Sequence, residues 1–518
     1  MRVRIVAGAA LACAGLAVSA GPASADPFGF LTPIKPYAKT SGLSPASPYV
    51  VTPLLSAGDI APETSTPGTS YRFVGIPDGL GAYRLPGGRG KAGLYVNHEL
   101  GTTTTLSEPV VGGPKNRGAF VSKYLLAADG SVLSGERAYD TVYRQNTLEG
   151  PAAEAGNATN GFARFCSGFL GGPWTGLDRP IYFTGEETGG AGTHDGRGGS
   201  AVAIYDNELH TLPKLGHFAH ENAIVLPNTG RRTVIMGLED GPATPDSQLY
   251  MYVGRKRRGA KTELGRNGLD NGALYVFKGT SAATTEDTFT SGAIGGDWEE
   301  IPDAEYMSET ELETAADAAG AFGFRRIEDG TAGKPGDFYF VTTGAGAAPA
   351  SSNRLGRVYK LSLNPAHPTW GASLRIISNA DDVIAGGGDT AISPDNVAFD
   401  GRSLMVQEDG TGNSRPVMAQ KGRDGSIWRF DTQNGYARQR VVELNPPGRD
   451  GVPVVEAGET KGIWETSGII DTGGLYGKDS WLFDVQAHPP TAAPGAADTT
   501  VEDGQLVLLT RKRHDGHR

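Results

Sequence analysis

Six times along this chain an apolar run ends on a polar or acidic tip. The runs are Leu94 to Glu99, Ile181 to Glu187, Val234 to Asp240, Phe338 to Thr343, Leu404 to Asp409 and Trp481 to His488. Most are followed by a second segment of alternating apolar residues, such as Ser200 to Asp206, Gln248 to Gly254, Gly356 to Leu363, Gly425 to Asp431 and Gly504 to Thr510. Short apolar runs bounded by Gly, Pro, Asn and Asp read as buried strands. Glycine supports the reading: it fills 76 of 518 positions, about twice the usual ~7%, which suits many tight turns. The clearest helix-period stretch is Met307 to Ala319. Six strand pairs predict an all-β fold, a six-bladed β-propeller with long inserted loops and a few short helices. A packed pair of sheets with acidic turns is the competing reading. In the propeller the six runs are expected as the innermost strands, so that their tips converge at one mouth of the channel.

The ends of the chain read differently. Residues 1–25 have the form of a signal peptide, with Arg2 and Arg4 ahead of the apolar stretch Ile5 to Val18 and the small residues Ala23-Ser24-Ala25 before Asp26. The apolar stretch is too short for a confident membrane span. A secreted protein is therefore expected, cleaved after Ala25. Residues 26–70, rich in Pro, Ser and Thr, are expected as a lead-in segment laid over the domain. A single domain is expected over residues 71–511, with a basic tail at 512–518. A net charge of −11 argues against nucleic acid as a partner. No membrane partner is expected, and a propeller's few free edges suggest a monomer.

The chain has two cysteines. Cys13 falls in the signal region, so Cys166 is left alone and has no internal disulfide partner. Four readings stay open for it: an inert core residue, a nucleophile, a link to a second chain, or a metal ligand. Acidic pairs favour the last. Glu186-Glu187, His220-Glu221, Glu239-Asp240, Glu328-Asp329 and Glu408-Asp409 each sit beside an expected strand end. Converging carboxylates suit hard cations such as calcium, whereas a thiolate points to a transition metal beside them. For any one pair the plain alternative is a solvated turn. Arg326 and Glu328 alternate along one strand and so face the same way. An arginine near bound cations is a natural clamp for phosphate; a surface ion pair is the alternative. Arg255 to Arg258, a basic run, reads as a solvated loop, with steering of anions as the lesser reading.

Taken in order, several of these runs resemble the PhoX-type alkaline phosphatase family. They are Tyr95 to Glu99, Phe165 to Gly168 leading to Thr184 to Glu187, Gly216 to Ala223, Arg326-Ile327-Glu328, Ser393 to Asp400 followed by Gln407 to Gly410, and Asp484 to Pro489. The resemblance implies a six-bladed propeller that hydrolyses phosphomonoesters at a buried cluster of two ferric and three calcium ions. It implies Cys166 as an iron ligand, and Glu221 and Glu328 as metal-binding residues at the catalytic centre. Arg326 is implied as the phosphate-contacting arginine. Glu186 and Glu187 match the paired glutamates that hold metal, and Glu99, Asp395 and Asp409 are carried over as further metal ligands. The implied substrate is a small phosphorylated molecule. Two other functions remain in view. One is a calcium-dependent propeller hydrolase of phytase or lactonase type, which needs no thiolate. The other is a non-catalytic calcium-stabilised binding propeller.

Overall fold

A computed structural model describes residues 29–157, 159–241, 246–346, 351–410, 414–445, 461–488 and 499–512. The expected signal peptide and residues 513–518 of the expected tail lie outside the described residues. The chain is all-β and forms six blades around a channel, antiparallel except where Thr141–Arg144 pairs in parallel with Glu208–Thr211. Blade 1 contains strands Pro77–Arg84, Ala92–His98, Phe120–Leu126 and Val132–Arg137. Blade 2 contains Phe169–Gly171, Ile181–Gly185, Ala201–Tyr205 and Glu208–Thr211, extended at its outer edge by Thr141–Arg144 and Thr147–Pro151. Blade 3 is His220–Val225, Arg232–Glu239, Leu249–Arg255 and Ala273–Gly279; blade 4 is Ile327–Ala332, Asp337–Thr342, Arg357–Leu363 and Ala372–Asn379. One long strand, Ala293–Ile301, pairs with the outer strand of both and joins them into a continuous sheet. Blade 5 is Pro394–Phe399, Ser403–Glu408, Ser426–Asp431 and Ala437–Leu444.

Blade 6 closes the circle. Glu465–Asp471, Trp481–Ala487 and Asp503–Arg511 take their outermost partner from the other end of the chain, Tyr49–Ser56. Ala38–Lys39 likewise pairs onto the edge of blade 5. Within residues 26–70, then, two segments are strands of blades 5 and 6, and Ile60–Pro62 forms a separate two-stranded sheet with Ser70–Arg72. The first innermost strand lies beside the sixth, so the ring of innermost strands is complete.

The six apolar runs are the second strand of each blade, not the first. Second strands are covered on both faces by neighbouring blades, and Ala92–His98, Ser403–Glu408 and Trp481–Ala487 are buried at every position. A strand buried on both faces reads as a continuous apolar run. Innermost strands face the channel, and their starts are polar: Pro77-Asp78-Gly79, His220-Glu221-Asn222, Ile327-Glu328-Asp329, Pro394-Asp395-Asn396. Small residues are needed there because the ring is tight. A Cβ on Gly79 would come within 2.3 Å of the Gly168 nitrogen, and one on Gly468, already at φ +47°, within 2.4 Å of the Asp78 carbonyl oxygen.

Strand direction decides where the acids meet. Antiparallel pairing sets the start of each innermost strand against the end of the second: Pro77 opposite His98, His220 opposite Glu239, Ile327 opposite Thr342, Pro394 opposite Glu408, Glu465 opposite Gln486. Both sets of tips therefore rise at one end of the channel. At the other end lies a cavity of about 640 Å³ with walls from all six blades. Arg255 pairs with Arg232, at the strand ends away from the acidic mouth, so the basic run does not border that mouth. The expected helix is present as Glu309–Ala319, capped by a Ser308–Glu311 capping box and by Gly320 in the left-handed conformation.

Candidate metal centre

Five of the six innermost strands slip register within a few residues of the mouth. The slips fall between Pro77 and Leu80, His220 and Asn222, Ile327 and Gly330, Pro394 and Val397, and Ser467 and Ile469. A bulge adds a residue to one strand and re-aims its side chain. The residues inside four of these bulges include Asp78, Glu221, Glu328 and Asp395. Left-handed backbone at non-glycine residues marks the same places. Ile76 (φ +48°), Arg326 (φ +59°) and Ser393 (φ +46°) each precede an innermost strand, and Arg164 (φ +47°) lies two residues before Cys166. Such conformations cost on the order of 1–3 kcal/mol each and persist where surrounding structure enforces them.

The side chains these devices aim converge on one another. Asp78, Glu99 and Cys166 bring ligand atoms within 4.8 Å of each other; so do Cys166, Glu187 and Glu221, and so do Glu221, Glu328 and Asp395. All seven residues are buried, and the three groups are joined through Cys166 and Glu221. The Cys166 thiol donates to Asp78 Oδ2 at 3.3 Å. Ser167 Oγ donates to Glu221, and Asn396 donates to Ser167 Oγ at 2.5 Å. Ser467 Oγ and Gln486 Nε2 each donate to Asp78 Oδ2 at 2.8 Å, and Gln486 also reaches Glu99 Oε2 at 2.9 Å.

Two arginines border this cluster. Arg326 clasps Asp240 with both arms of its fork, Nε at 2.9 Å and Nη2 at 2.8 Å, and its Nη2 lies 3.1 Å from Glu328. Arg164 lies 2.8 Å from Glu99 and 2.7 Å from Glu187. Further along the rim, Asp409 hydrogen-bonds Glu465, and His488 lies 3.7 Å from Glu465 and 2.6 Å from Glu502.

Crowding acids into a dry pocket penalises their charged forms. Burial pushes Asp78 well above the usual carboxylate range, with Glu99 and Glu465 adding to it. Glu221 rises through burial, then Glu328 and Asp78; Asp395 rises through burial, then Glu328 and Glu221. Glu328 is pushed up to about 8 by burial and by Asp240, against the pull of Arg326. Burial, then Asp78 and Glu221, raises the Cys166 thiol. Against the cost of burial, Arg326 holds Asp240 below the ordinary range. Asp78 Oδ1 and Glu221 Oε2 are buried with no hydrogen-bond partner among the described residues. Carboxylates that repel one another around a thiol, with acceptor atoms left over, are the donor set of a cation cluster. The residues present fit bound metal.

The sites read from the sequence divide. Cys166, Glu187, Glu221, Glu328, Glu99 and Asp395 meet in the three linked groups, and Arg326 stands beside them. Asp409 sits at the same mouth but outside those groups. Glu186 points elsewhere: its carboxylate accepts the backbone N–H groups of Ala163 (3.0 Å), His194 (2.9 Å) and Ser200 (3.2 Å). Glu408 is likewise engaged, held by Arg423 at 2.7 and 2.8 Å. Sequence reasoning missed Asp78, Glu465 and the ion pairs of Arg164 with Glu99 and Glu187. Pro-Asp-Gly at 77–79 has the composition of a turn, and Glu465 belongs to no acidic pair. Asp240 was visible in the Glu239-Asp240 pair as an acid, though not as the anchor of Arg326.

A family profile described as "Alkaline phosphatase PhoX" matches residues 206–462. That segment contains Glu221, Arg326, Glu328, Asp395 and Asp409; Cys166 and Glu187 precede it. No curated protein matches the chain in sequence. Among solved structures, Pseudomonas fluorescens PhoX in complex with vanadate, a transition state analogue, matches with a TM-score of 0.64 and 17% identity, over 93% of this chain and 98% of that one. The Pseudomonas aeruginosa periplasmic gluconolactonase PpgL matches with a TM-score of 0.31 and 14% identity, over 77% of this chain and 97% of that one, too weakly to carry an argument. The propeller is that of PhoX, and the family match and fold together support a phosphoesterase hydrolase.

Proposed function

We propose that this chain, a PhoX-type protein by its family match and its fold, is a secreted metal-dependent phosphomonoesterase that holds iron and calcium at the acidic mouth of its channel. The observation that carries the reading is the linkage of three buried ligand groups through Cys166 and Glu221, with the Arg326 fork at their side. Cys166, with Glu221 and Glu187, would hold the softer iron. Asp78, Glu99, Glu328 and Asp395 would complete an oxygen-rich set suited to calcium. We retain two ferric and three calcium ions as the expected complement. When bound, such cations act as Lewis acids that neutralise phosphoryl oxygens. The chain's own residues do the positioning. Asp240 fixes the Arg326 guanidinium in plane, so that the phosphoryl group meets a fixed cationic edge at little ordering cost. Thr343 Oγ1, which donates to Glu328 and lies 3.0 Å from the Pro394 carbonyl, ties blade 4 to blade 5 at that point. We leave Glu186 the role of anchoring the loops on which it accepts three backbone bonds.

Secretion rests on the signal-like residues 1–25; no helix among the described residues is long and apolar enough to cross a membrane. A small phosphorylated substrate and a monomeric protein complete the reading. The test is hydrolysis of p-nitrophenyl phosphate by the purified chain. Turnover that a chelator abolishes and that returned iron and calcium restore is the expected result. Protein with its full metal content and no phosphomonoesterase activity would overturn the reading.

A further inference from the structure

We propose that Arg164 is a second substrate-contacting arginine and that, paired with Arg326, it sets a preference for dianionic phosphomonoesters over monoanionic diesters. The inference rests on the phosphomonoesterase reading.

The two guanidinium groups belong to one continuous chain of contacts. Arg164 Nη2 lies 2.7 Å from Glu187 Oε2. Glu187 hydrogen-bonds Asp240, and Asp240 accepts from Arg326 at 2.8 and 2.9 Å. Two touching carboxylates thus separate two cations on one rim. Both arginines have left-handed backbone, φ +47° and +59°, which an ordinary L-residue adopts only under constraint.

Arg164 differs from a structural arginine of the same protein. Arg423 is 1% exposed, and its fork is saturated by Glu408, Asp389 and the carbonyls of Thr390 and Asp424. Among the described residues, Arg164 spends only Nε and Nη2, on Glu99 and Glu187, and its side chain is 42% exposed. Its Nη1 arm is left for a ligand. Arg326 is 30% exposed in the same way. The charge of Arg164 is also felt by Glu328, Asp240 and Glu465, which come from blades 4, 3 and 6. The guanidinium bridges Glu99 of blade 1 and Glu187 of blade 2, which places it at the mouth. A monoester dianion brings oxygen charge for both guanidiniums, whereas a diester monoanion brings charge for one.

Arg164→Ala tests this, with Arg164→Gln as the second variant should the first fail to fold. Three quantities are measured beside wild type: kcat/KM for p-nitrophenyl phosphate and for bis-p-nitrophenyl phosphate, inhibition by vanadate, and calorimetric affinity for inorganic phosphate. Metal content is determined on the same samples. A lost charge-assisted contact should lower monoester kcat/KM, vanadate potency and phosphate affinity at least about tenfold. Diester turnover should stay within about threefold and metal content unchanged. Unchanged phosphate and vanadate affinity would overturn the proposal. So would an equal fall for both esters accompanied by loss of metal, which is what a purely structural ion pair predicts. Should wild type hydrolyse no phosphomonoester, the function above falls, and the phosphate affinities still decide the role of Arg164.

Discussion

The thiol of Cys166 donates to Oδ2 of Asp78 at 3.3 Å, across 88 residues of chain. Cys166 lies just ahead of the innermost strand of blade 2, and Asp78 lies in the bulge of blade 1. Their contact is made by packing blade 2 against blade 1, not by local sequence. Burial and the surrounding acids hold the thiol in its neutral form. A cation that takes the place of the proton relieves the thiol and its neighbouring carboxylates together.

Arg326→Ala removes one fixed donor edge at the mouth. Loss of such a donor costs about 10²–10³ in kcat, and that is the expected fall. Arg326 is not a ligand in this account, so elemental analysis of the variant should return wild-type metal content. Loss of iron would mean that Arg326 holds the ligand cage together.

Stability of the metal-stripped protein should fall as pH rises. Glu328 is pushed up to about 8 and Asp329 to about 7, whereas unfolded carboxylates titrate near ~4. Between those values the unfolded chain has released protons that the folded chain still binds, so the slope of stability against pH is negative. Thermal melts in chelator should give a higher Tm near pH 5 than near pH 8. With metal bound, the carboxylates are ionised in the folded state and this trend should vanish or reverse. A chelated protein that grows more stable toward pH 8 would contradict the account.

Glu408 and Arg423 form a buried pair, 0% and 1% exposed. Glu408 also accepts from Trp428 Nε1 at 3.1 Å and the Ile392 N–H at 2.8 Å. Breaking such a pair strands a charge and costs about 3–5 kcal/mol. Arg423→Met should lower denaturant stability by that amount while the metals remain. Metal loss at retained stability would place Glu408 in the centre instead.

Glu186→Ala should behave in the same direction, with a loss of stability at least as large. Three backbone N–H groups lose their acceptor, at about 1–3 kcal/mol for each group left unsatisfied. Metal content should not change, whereas Glu187→Ala should lose metal. Equal metal loss in the two variants would return Glu186 to the ligand set.

Much of the fold was legible because second strands, buried on both faces, announce themselves as apolar runs. Counting them gave six blades. It also misplaced them by one strand, because the true innermost strands look like turns: Pro77-Asp78-Gly79 and Pro394-Asp395-Asn396 have no apolar period. Acidic pairs pointed to the end of the channel where the buried ligand groups meet, since second strands end where innermost strands begin. A pair such as Glu186-Glu187 does not reveal which member faces inward. Alternation sends neighbours to opposite sides, so Glu187 joins Cys166 while Glu186 turns to backbone donors. Blade 6 hid its outer strand, Tyr49–Ser56, in a segment whose Pro, Ser and Thr content resembled a loose leader.

The most direct measurement is the metal content of the purified chain, prepared without chelators, beside that of Cys166→Ser. The account predicts iron near two and calcium near three per chain in the wild type, with iron lost and phosphomonoesterase activity abolished in the variant. Calcium without iron in the wild type, or full activity in Cys166→Ser, would contradict it and leave a calcium-only propeller with Cys166 as a core residue.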